Sequence, residues 1–418
     1  MKRPELLVPA GSLDVLKTAV VFGADAVYIG GEVFGLRAKA KNFTIEEMKS
    51  GVSFAHEHGV KVYVTANILA HNADLEQVKI YFHELENVKP DALIISDPAV
   101  FALAKEILPD VEIHISTQAN NTNYGTYKFW YGLGAKRAVS ARELSLNEIK
   151  EIREKIPADM EIETFVHGAM CISYSGRCLL SSFMAGRDAN KGACTHPCRW
   201  KYAVVEEKRP GEYMPIYENE RGTYIFNSKD LCMIEHIPEL IEAGIDSFKI
   251  EGRMKTALYV ATTARTYRMA IDDYMESAQK YKQNIPKYKE MISQCTYRQY
   301  TTGFFFGKPD ENTQIYDNNV YERDYVYLGT VEGEENGFYR IEQKNKFSVG
   351  EMIEIMKPDG MDIKTVVKSI VNEDGEQMEG APHPKQRLLI ELADNVKEYD
   401  ILRKTADREP ATGLKSEF

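Results

Sequence analysis

The most regular feature of the chain is an alternation between short apolar runs and longer segments whose apolar residues recur at helical spacing. The apolar runs are rich in β-branched residues, which is typical of buried strands. Eight such runs are followed by helical segments, and they read ELLVP, DAVYIGG, KVYVTANI, DALIISD, EIHISTQ, RAVSARE, EIETFVHGA and SFKIEGR. Repeated strand–helix units with short connections predict a (β/α)8 barrel of the TIM type, and an open α/β sheet is the alternative if one unit is misjudged.

Capping residues mark the starts of the first two helices. Ser12 precedes a helical segment that begins at Leu13, directly after the turn that closes the first strand. Thr44 is followed three residues later by Glu47, which is the pattern of a capping box. These signals support the assignment of alternating strands and helices.

Two parts of the chain depart from the repeat. A cysteine-rich insertion at 171–240 separates the seventh and eighth strands and is far longer than an ordinary loop; part of it has the alternation of a β-hairpin. After the barrel at 1–275, a helical and loop linker is predicted at 276–325. Short strands separated by turn residues then predict a small C-terminal all-β domain, a β-barrel or sandwich, at 326–406, before a polar tail at 407–418.

Composition places the chain among soluble globular proteins. It has 418 residues, of which 44% are hydrophobic and 28% charged, and no apolar run long enough for a membrane span. Because no export signal is apparent, a cytoplasmic location without membrane association is expected. The balance of 52 Lys and Arg against 63 Asp and Glu argues against tight non-specific binding of nucleic acid, although a local basic surface could engage a structured RNA.

Four of the six cysteines lie within 40 residues, in the stretch ETFVHGAMCISYSGRCLLSSFMAGRDANKGACTHPCRWKY. They are Cys171, Cys178, Cys194 and Cys198. Four thiolates suit an iron–sulfur cluster or a zinc ion, and the six residues between the first two cysteines exceed the usual spacing in zinc sites. An iron–sulfur cluster is therefore favoured, zinc remains an alternative, and ordinary buried thiols are the simplest interpretation. Disulfides are not expected in the cytoplasm.

Polar residues follow several predicted strands. Because catalytic groups of such barrels lie at the carboxyl ends of the strands, one mouth is expected to collect Asn67, Asp97, Gln118, Arg142, His167, Glu251 and Arg253, with the insertion above it. His167 and Glu163, which share a strand face by the two-residue period, are candidate catalytic residues. A structural histidine and a carboxylate paired with an arginine are the alternatives. In SFKIEGRMK, two of the cations, such as Lys249 and Arg253, could bind a carboxylate or a phosphate, or simply form a solvated rim.

The cysteine stretch also carries a family resemblance. ETFVHGAMCISYSGRCLLS, RDANKGACTHPCRWKY, FNSKDL, SFKIEGRMK and the N-terminal PELLVPAG resemble the collagenase-like peptidases, family 32 of the peptidases of unknown mechanism. The resemblance implies a cytoplasmic bacterial protein with a barrel and a small C-terminal β-domain. The better-understood branches of this family are iron–sulfur proteins for oxygen-independent hydroxylation of RNA or of a ubiquinone precursor, with prephenate.

The chain most resembles the branch that converts the wobble uridine of tRNA to 5-hydroxyuridine. That resemblance implies a [4Fe–4S] cluster held by Cys171, Cys178, Cys194 and either Cys198 or Cys232. It implies tRNA as a partner, prephenate or a similar dicarboxylate as hydroxyl donor, and a possible protein partner. The cations that would bind the donor are Arg142, Lys249 and Arg253. Two other functions stay open, a collagenase-like peptidase and a binding module stabilised by a cluster or zinc without catalysis.

Overall fold

The computed structural model describes residues 2–32, 42–171, 173–191, 193–200, 203–205, 213–215, 229–307, 324–393 and 396–406. In the first part of the chain, strands and helices alternate in the order β1 (Glu5–Pro9), α1 (Leu13–Val21), β2 (Ala26–Gly30), α2 (Ile45–Glu57), β3 (Lys61–Ala66), α3 (Leu75–Leu85), β4 (Ala92–Ile95), α4 (Pro98–Ile107), β5 (Glu112–Ile115), α5 (Tyr124–Gly132), β6 (Arg137–Val139), α6 (Leu146–Lys155) and β7 (Glu161–Ala169). Ser12 and Thr44 cap α1 and α2, and Thr44 and Glu47 form the capping box that the sequence predicts.

The second part of the chain completes the barrel. Its elements are α7 (Leu180–Ala185), β8 (Ala203–Val205), β9 (Tyr213–Pro215), β10 (Asp230–Cys232), α8 (Ile237–Glu242), β11 (Ser247–Ile250), α9 (Ala257–Glu276), α10 (Ala278–Ile292) and β12 (Tyr300–Thr301). Strand β11 is parallel to both β7 and β1, so that Ser247 lies opposite Glu163 on one side and Glu5 on the other. The sheet is therefore closed by eight parallel strands, and the predicted (β/α)8 barrel is confirmed.

A buried ion network occupies the barrel interior near the start of the strands. The Arg137 guanidinium lies 2.6 Å from Glu5 Oε1, 2.6 Å from Glu161 Oε2 and 3.0 Å from Glu163 Oε2. Burial alone would raise the pKa of Glu5, but the adjacent Arg137 outweighs it and lowers that pKa to about 2. Apolar side chains fill the remaining space inside the wall, and they are Leu7, Ala26, Tyr28, Tyr63, Ala92 and Ile94. Leu7, Ala26 and Ala92 thus make this end of the barrel a packed core, while Tyr28 and Ile94 extend towards the opposite end.

The C-terminal domain is an antiparallel sheet of seven strands. They are β13 (Tyr325–Glu335), β14 (Phe338–Glu342), β16 (Met352–Met356), β17 (Ile363–Asn372), β18 (Gln377–Met378), β20 (Arg387–Leu392) and β21 (Ile401–Thr405), while β15 (Phe347–Ser348) and β19 (Gly380–Ala381) form a separate pair. Pairing of β16 with both β17 and β21 closes the sheet, which confirms the predicted all-β domain. Arg265 of α9 joins the domains, because its guanidinium lies 2.5 Å from Asp362 Oδ1.

Several predicted features lie outside the described residues: most of the turn of the hairpin formed by β8 and β9, much of the linker (308–323) and the tail (407–418). Among the described helices, none combines the length and the apolar character that crossing a membrane requires.

Candidate functional site at the barrel mouth

A cavity of about 200 Å³ lies where the barrel strands end. Its wall consists of side chains from the carboxyl-terminal halves of six strands, and they are Tyr28, Thr65, Ile94, Val139, Phe165 and Lys249. Its cover is the part of the insertion from 171 to 200, which we call the cysteine segment. The position agrees with the general rule that ligands of such barrels bind at the carboxyl ends of the strands.

Four cysteines of this segment line the cavity: Cys171, Cys178, Cys194 and Cys198. Cys171 is exposed and the other three are half-buried. The backbone N–H of His196 donates a hydrogen bond to Cys194 Sγ over 3.4 Å. His196 has a left-handed backbone with φ of 55°, a conformation uncommon for a residue other than glycine.

Cys232 lies apart from these four. It belongs to β10, a strand that the sequence did not reveal and that pairs antiparallel with the end of β7. Its sulfur is 3.9 Å from the Tyr267 hydroxyl, and it is not among the cavity-lining residues. Burial raises the pKa of the Cys232 thiol to about 11, and burial likewise raises that of Cys295 to about 12. In this arrangement, Cys198 rather than Cys232 shares the cavity with the other three cysteines.

The donor atoms fit a thiolate-bound cofactor by type and by common location. Within the described part of the chain, however, no three His, Cys, Asp or Glu side chains converge closely enough to hold a metal ion. The four thiols therefore surround a shared space without meeting at one point. Binding of a cluster or of zinc would require the cysteine segment to draw them together.

The three cations predicted to bind a carboxylate all line the cavity. They are Arg142, Lys249 and Arg253, and Glu251 is the carboxylate that lies beside them. Lys249 and Arg253 are buried, with 4% and 6% of their surfaces exposed. Positive charge therefore exceeds negative charge in the described lining, which suits an anionic ligand.

Arg142 connects the barrel to the cysteine segment. Its Nη1 donates to Ser175 Oγ over 2.9 Å, and its Nη2 lies 3.3 Å from Glu251 Oε2. The guanidinium also stacks over the Phe165 ring at 3.9 Å from the centroid. Asn120 makes a second connection by donating to the Ser175 backbone carbonyl. The loop between Cys171 and Cys178 is thus held against the barrel wall.

Lys249 and Arg253 are positioned from β11 and the turn that follows it. Lys249 Nζ is 2.7 Å from Glu163 Oε1, so Glu163 links this lysine to Arg137. Arg253 donates from Nη1 to Thr65 Oγ1 over 2.9 Å and from Nη2 to Asn42 Oδ1 over 3.2 Å. A side chain at position 30 would collide with the Arg253 guanidinium, so Gly30 leaves the space that this arginine occupies.

The two predicted catalytic residues lie away from the cavity surface. Glu163 is fully buried, and its contacts with Arg137 and Lys249 match the alternative of a paired carboxylate. His167 packs against the rings of Tyr259, Tyr267 and Tyr300 at centroid distances of 6.0, 5.5 and 5.5 Å. Burial lowers the pKa of His167 to about 3, so the ring is neutral near pH 7 and is a weak base.

A register shift explains why His167 leaves the expected face. Lys249 pairs with Phe165 and Ile250 pairs with His167, so β7 advances two residues where β11 advances one. This irregularity interrupts the two-residue alternation after Phe165. His167 therefore lies near the carboxyl end of β7, as expected, but does not line the cavity.

Of the remaining residues expected at the mouth, two line the cavity and one does not. Asn67 and Gln118 line the cavity as expected, and Asn67 Nδ2 donates to Ser116 Oγ over 3.2 Å. Asp97 does not line it, because its Oδ1 accepts from the backbone N–H groups of Ala99 and Val100 and caps α4. Tyr28 and Ser175 were missed. The position of Tyr28, an aromatic residue near the end of a predicted strand, could have indicated that it lines the cavity. Nothing in the sequence around Ser175 indicates its role.

Comparison with known proteins yields one family for both domains. A sequence-family model described as peptidase family U32 matches residues 11–315. A second family model, described as peptidase family U32 C-terminal domain, matches residues 323–403. The chain is 40% identical to "tRNA hydroxylation protein P1" of Bacillus subtilis (strain 168), over 96% of this chain and 95% of the relative. It is 41% identical to "tRNA hydroxylation protein P" of Escherichia coli (strain K12), over 91% and 92%.

A third relative acts on a different RNA according to its name. The chain is 37% identical to "23S rRNA 5-hydroxycytidine C2501 synthase" of Escherichia coli (strain K12), over 66% of this chain and 40% of that protein. The family model covers well over half of the chain, and the first two relatives match along nearly their full lengths. The resemblance seen in the cysteine stretch is confirmed, and the chain belongs to peptidase family U32.

Proposed function

We propose that this chain is a tRNA-modifying enzyme that hydroxylates the wobble uridine to 5-hydroxyuridine without oxygen at the cysteine-lined cavity. The names of its relatives support RNA hydroxylation as the reaction class. The single observation that carries the proposal is that four cysteines and three cations line one small cavity at the barrel mouth. Such a site combines a place for a thiolate-bound cofactor with a place for an anionic co-substrate.

The cofactor we propose is a [4Fe–4S] cluster held by Cys171, Cys178, Cys194 and Cys198. Sharing of one cavity favours Cys198 over Cys232 as the fourth ligand. Once bound, the cluster would supply redox chemistry or a site for the hydroxyl donor. Because the thiols do not converge among the described residues, cluster binding would be coupled to closure of the segment.

The hydroxyl donor we propose is prephenate or a similar dicarboxylate. The Arg253 guanidinium can present two parallel N–H groups to one carboxylate. Lys249 adds a point charge, which Glu163 and the aromatic rings of Tyr28 and Phe165 hold in place. Arg142 would contact the donor and the cysteine segment together, since it already binds Ser175. These residues bind and orient the donor.

Nucleoside analysis of tRNA tests the proposed function. Cells lacking the gene should lose 5-hydroxyuridine and its further-modified derivatives, and a plasmid copy should restore them. An unchanged nucleoside profile would refute the proposed function and would favour peptidase activity or a binding role without catalysis.

A further inference from the structure

The outer surface of the cysteine segment is unusually apolar for an exposed surface. Phe183 of α7 exposes 87% of its surface and Leu179 exposes 68%, while Tyr174, Met184 and Trp200 each expose more than 40%. We call these five residues the outer patch. Large apolar side chains grouped on an exposed segment are typical of a binding surface.

The outer patch belongs to a compact unit. The Ser181 hydroxyl on α7 is buried and lies 3.1 Å from Thr195 Oγ1, and it accepts a hydrogen bond from the Thr195 backbone N–H. Helix α7 also packs against the short turn Pro197–Arg199, which precedes Trp200. Phe183 and Trp200 are therefore displayed on neighbouring elements of one folded segment.

Charge distinguishes this surface from the rest of the protein. The cysteine segment contains Arg177, Arg187, Lys191 and Arg199 but a single carboxylate, Asp188, whereas the whole chain has a net charge of −11. Arg177 and Arg187 are exposed. Aromatic side chains beside arginines on an otherwise acidic protein are complementary to a nucleic-acid strand with unpaired bases.

Tyr174 connects the outer patch with the cavity. It lines the cavity and also exposes 47% of its surface. A base that enters the cavity would therefore pass one member of the outer patch, and the adjacent bases of the same strand would lie against the others.

From these observations we infer that the outer patch is a stacking surface for unpaired nucleobases that flank the target base, with Arg177 and Arg187 contacting the phosphates. The inference rests on the proposed function, and it defines the substrate as an RNA loop whose bases are unstacked on binding. Helical RNA would not satisfy the surface, because its bases are stacked and paired.

Substitutions at Phe183 test this inference in the full-length, iron-loaded protein. The probe is a labelled anticodon stem–loop transcript with uridine at the wobble position, and a fully paired duplex of the same strand is the reference ligand. Phe183→Ala should raise the Kd for the stem–loop roughly 5- to 160-fold, the range expected for loss of one stacked base. Phe183→Tyr should retain near wild-type affinity, whereas Phe183→Leu should bind as weakly as Phe183→Ala.

The matched control is Phe129→Ala, since Phe129 is another phenylalanine with 60% of its surface exposed but lies on α5, outside the cysteine segment. Its Kd should equal that of the wild type. Arg187→Gln should reduce the slope of log K against log salt by about 0.7, the value for one contact to a single strand.

Three results would overturn the inference. They are an unchanged Kd in Phe183→Ala, full affinity in Phe183→Leu, and equal affinity of the wild type for stem–loop and duplex. Full affinity in Phe183→Leu would show that the surface needs apolar area rather than a ring, as a protein partner would. The proposed function has a separate readout, because 5-hydroxyuridine lost with the gene and restored by Phe183→Ala would leave the function standing without this surface.

Discussion

At the scale of single residues, Arg253 shows how the barrel wall prepares a charged side chain for a ligand. The guanidinium is buried, donates to Thr65 and Asn42, and lines the cavity in space that Gly30 leaves open. A role in binding a ligand and a purely structural role for this arginine lead to different results when Arg253 is replaced.

Arg253→Lys should therefore lower 5-hydroxyuridine in tRNA while iron content and thermal stability stay close to wild type. Lysine keeps the charge but cannot make two parallel hydrogen bonds, and loss of one such contact costs about 1.5–3 kcal/mol, or roughly 10- to 100-fold in affinity. Nucleoside analysis of complemented cells and iron analysis of the purified variant measure the two quantities. Equal loss of iron and stability would show instead a structural role.

His167 makes a prediction about acid stability. Its pKa is about 3 in the folded protein because the ring is buried, whereas the ordinary value is 6.5. The unfolded chain therefore takes up the proton first, and the stabilising contribution is complete above pH 6.5 and declines as the pH falls towards 3.

His167→Phe keeps an aromatic ring and removes this titration. As the pH falls from 6 to 4, the free energy of unfolding of this variant should decrease less steeply than that of the wild type. The two slopes should differ by up to about 1.4 kcal/mol per pH unit, the contribution of one titrating group. Urea midpoints at several pH values measure the slope. His83→Phe, at an exposed position on α3, should reproduce the wild-type slope. Identical slopes for all three proteins would contradict a buried, neutral His167.

At the scale of elements, the sequence predicted which cysteines of the cysteine segment share a site, but it did not predict the strand that positions Cys232. The cysteine spacing indicated a shared site, and the structure places Cys171, Cys178, Cys194 and Cys198 around one cavity. Strand β10 could not be foreseen, since three residues carry too little pattern to distinguish a strand from a loop. Its pairing with β7 is what separates Cys232 from the other cysteines.

Single substitutions in the segment should separate ligands from other thiols. Cys171→Ala and Cys178→Ala should each abolish iron binding, and because binding is expected to close the segment, both should leave it more sensitive to proteolysis. Cys295→Ala is the matched control, since this cysteine is buried near the end of α10 and should leave iron content unchanged. Equal iron loss in all three variants would contradict the assignment of the ligands. One zinc per chain without iron would favour the alternative of a zinc-stabilised binding module without catalysis.

The barrel itself was predictable because each strand–helix unit carries its own local signal. Alternating apolar runs, caps such as Thr44 with Glu47, and short connections all indicate the same fold. The irregularity in β7 carries no such signal, because it depends on the pairing of β7 with β11. For that reason the sequence placed His167 on the same face as Glu163, whereas the shifted pairing turns it to the other face.

At the scale of the whole molecule, a shared carboxylate joins the two domains. Asp362 lies 2.5 Å from Arg265 of α9 and 3.0 Å from Arg403 of the C-terminal domain, and both arginines are buried. Asp362→Ala should destabilise the protein by about 3–5 kcal/mol, because it leaves two buried cations without this partner. Asp374→Ala, in an exposed turn of the C-terminal domain, should have little effect. Thermal unfolding measures both, and equal midpoints would contradict a role for Asp362 in joining the domains.

The most direct test of the central claim is the 5-hydroxyuridine content of tRNA from oxygen-free cultures that lack the gene and carry either Cys178→Ala or Cys295→Ala. If the cysteine-lined cavity is the site of an oxygen-independent hydroxylation, Cys295→Ala restores the nucleoside to the wild-type level and Cys178→Ala leaves it absent. Comparable 5-hydroxyuridine in the two cultures, with both variants present at equal amounts, would contradict the claim.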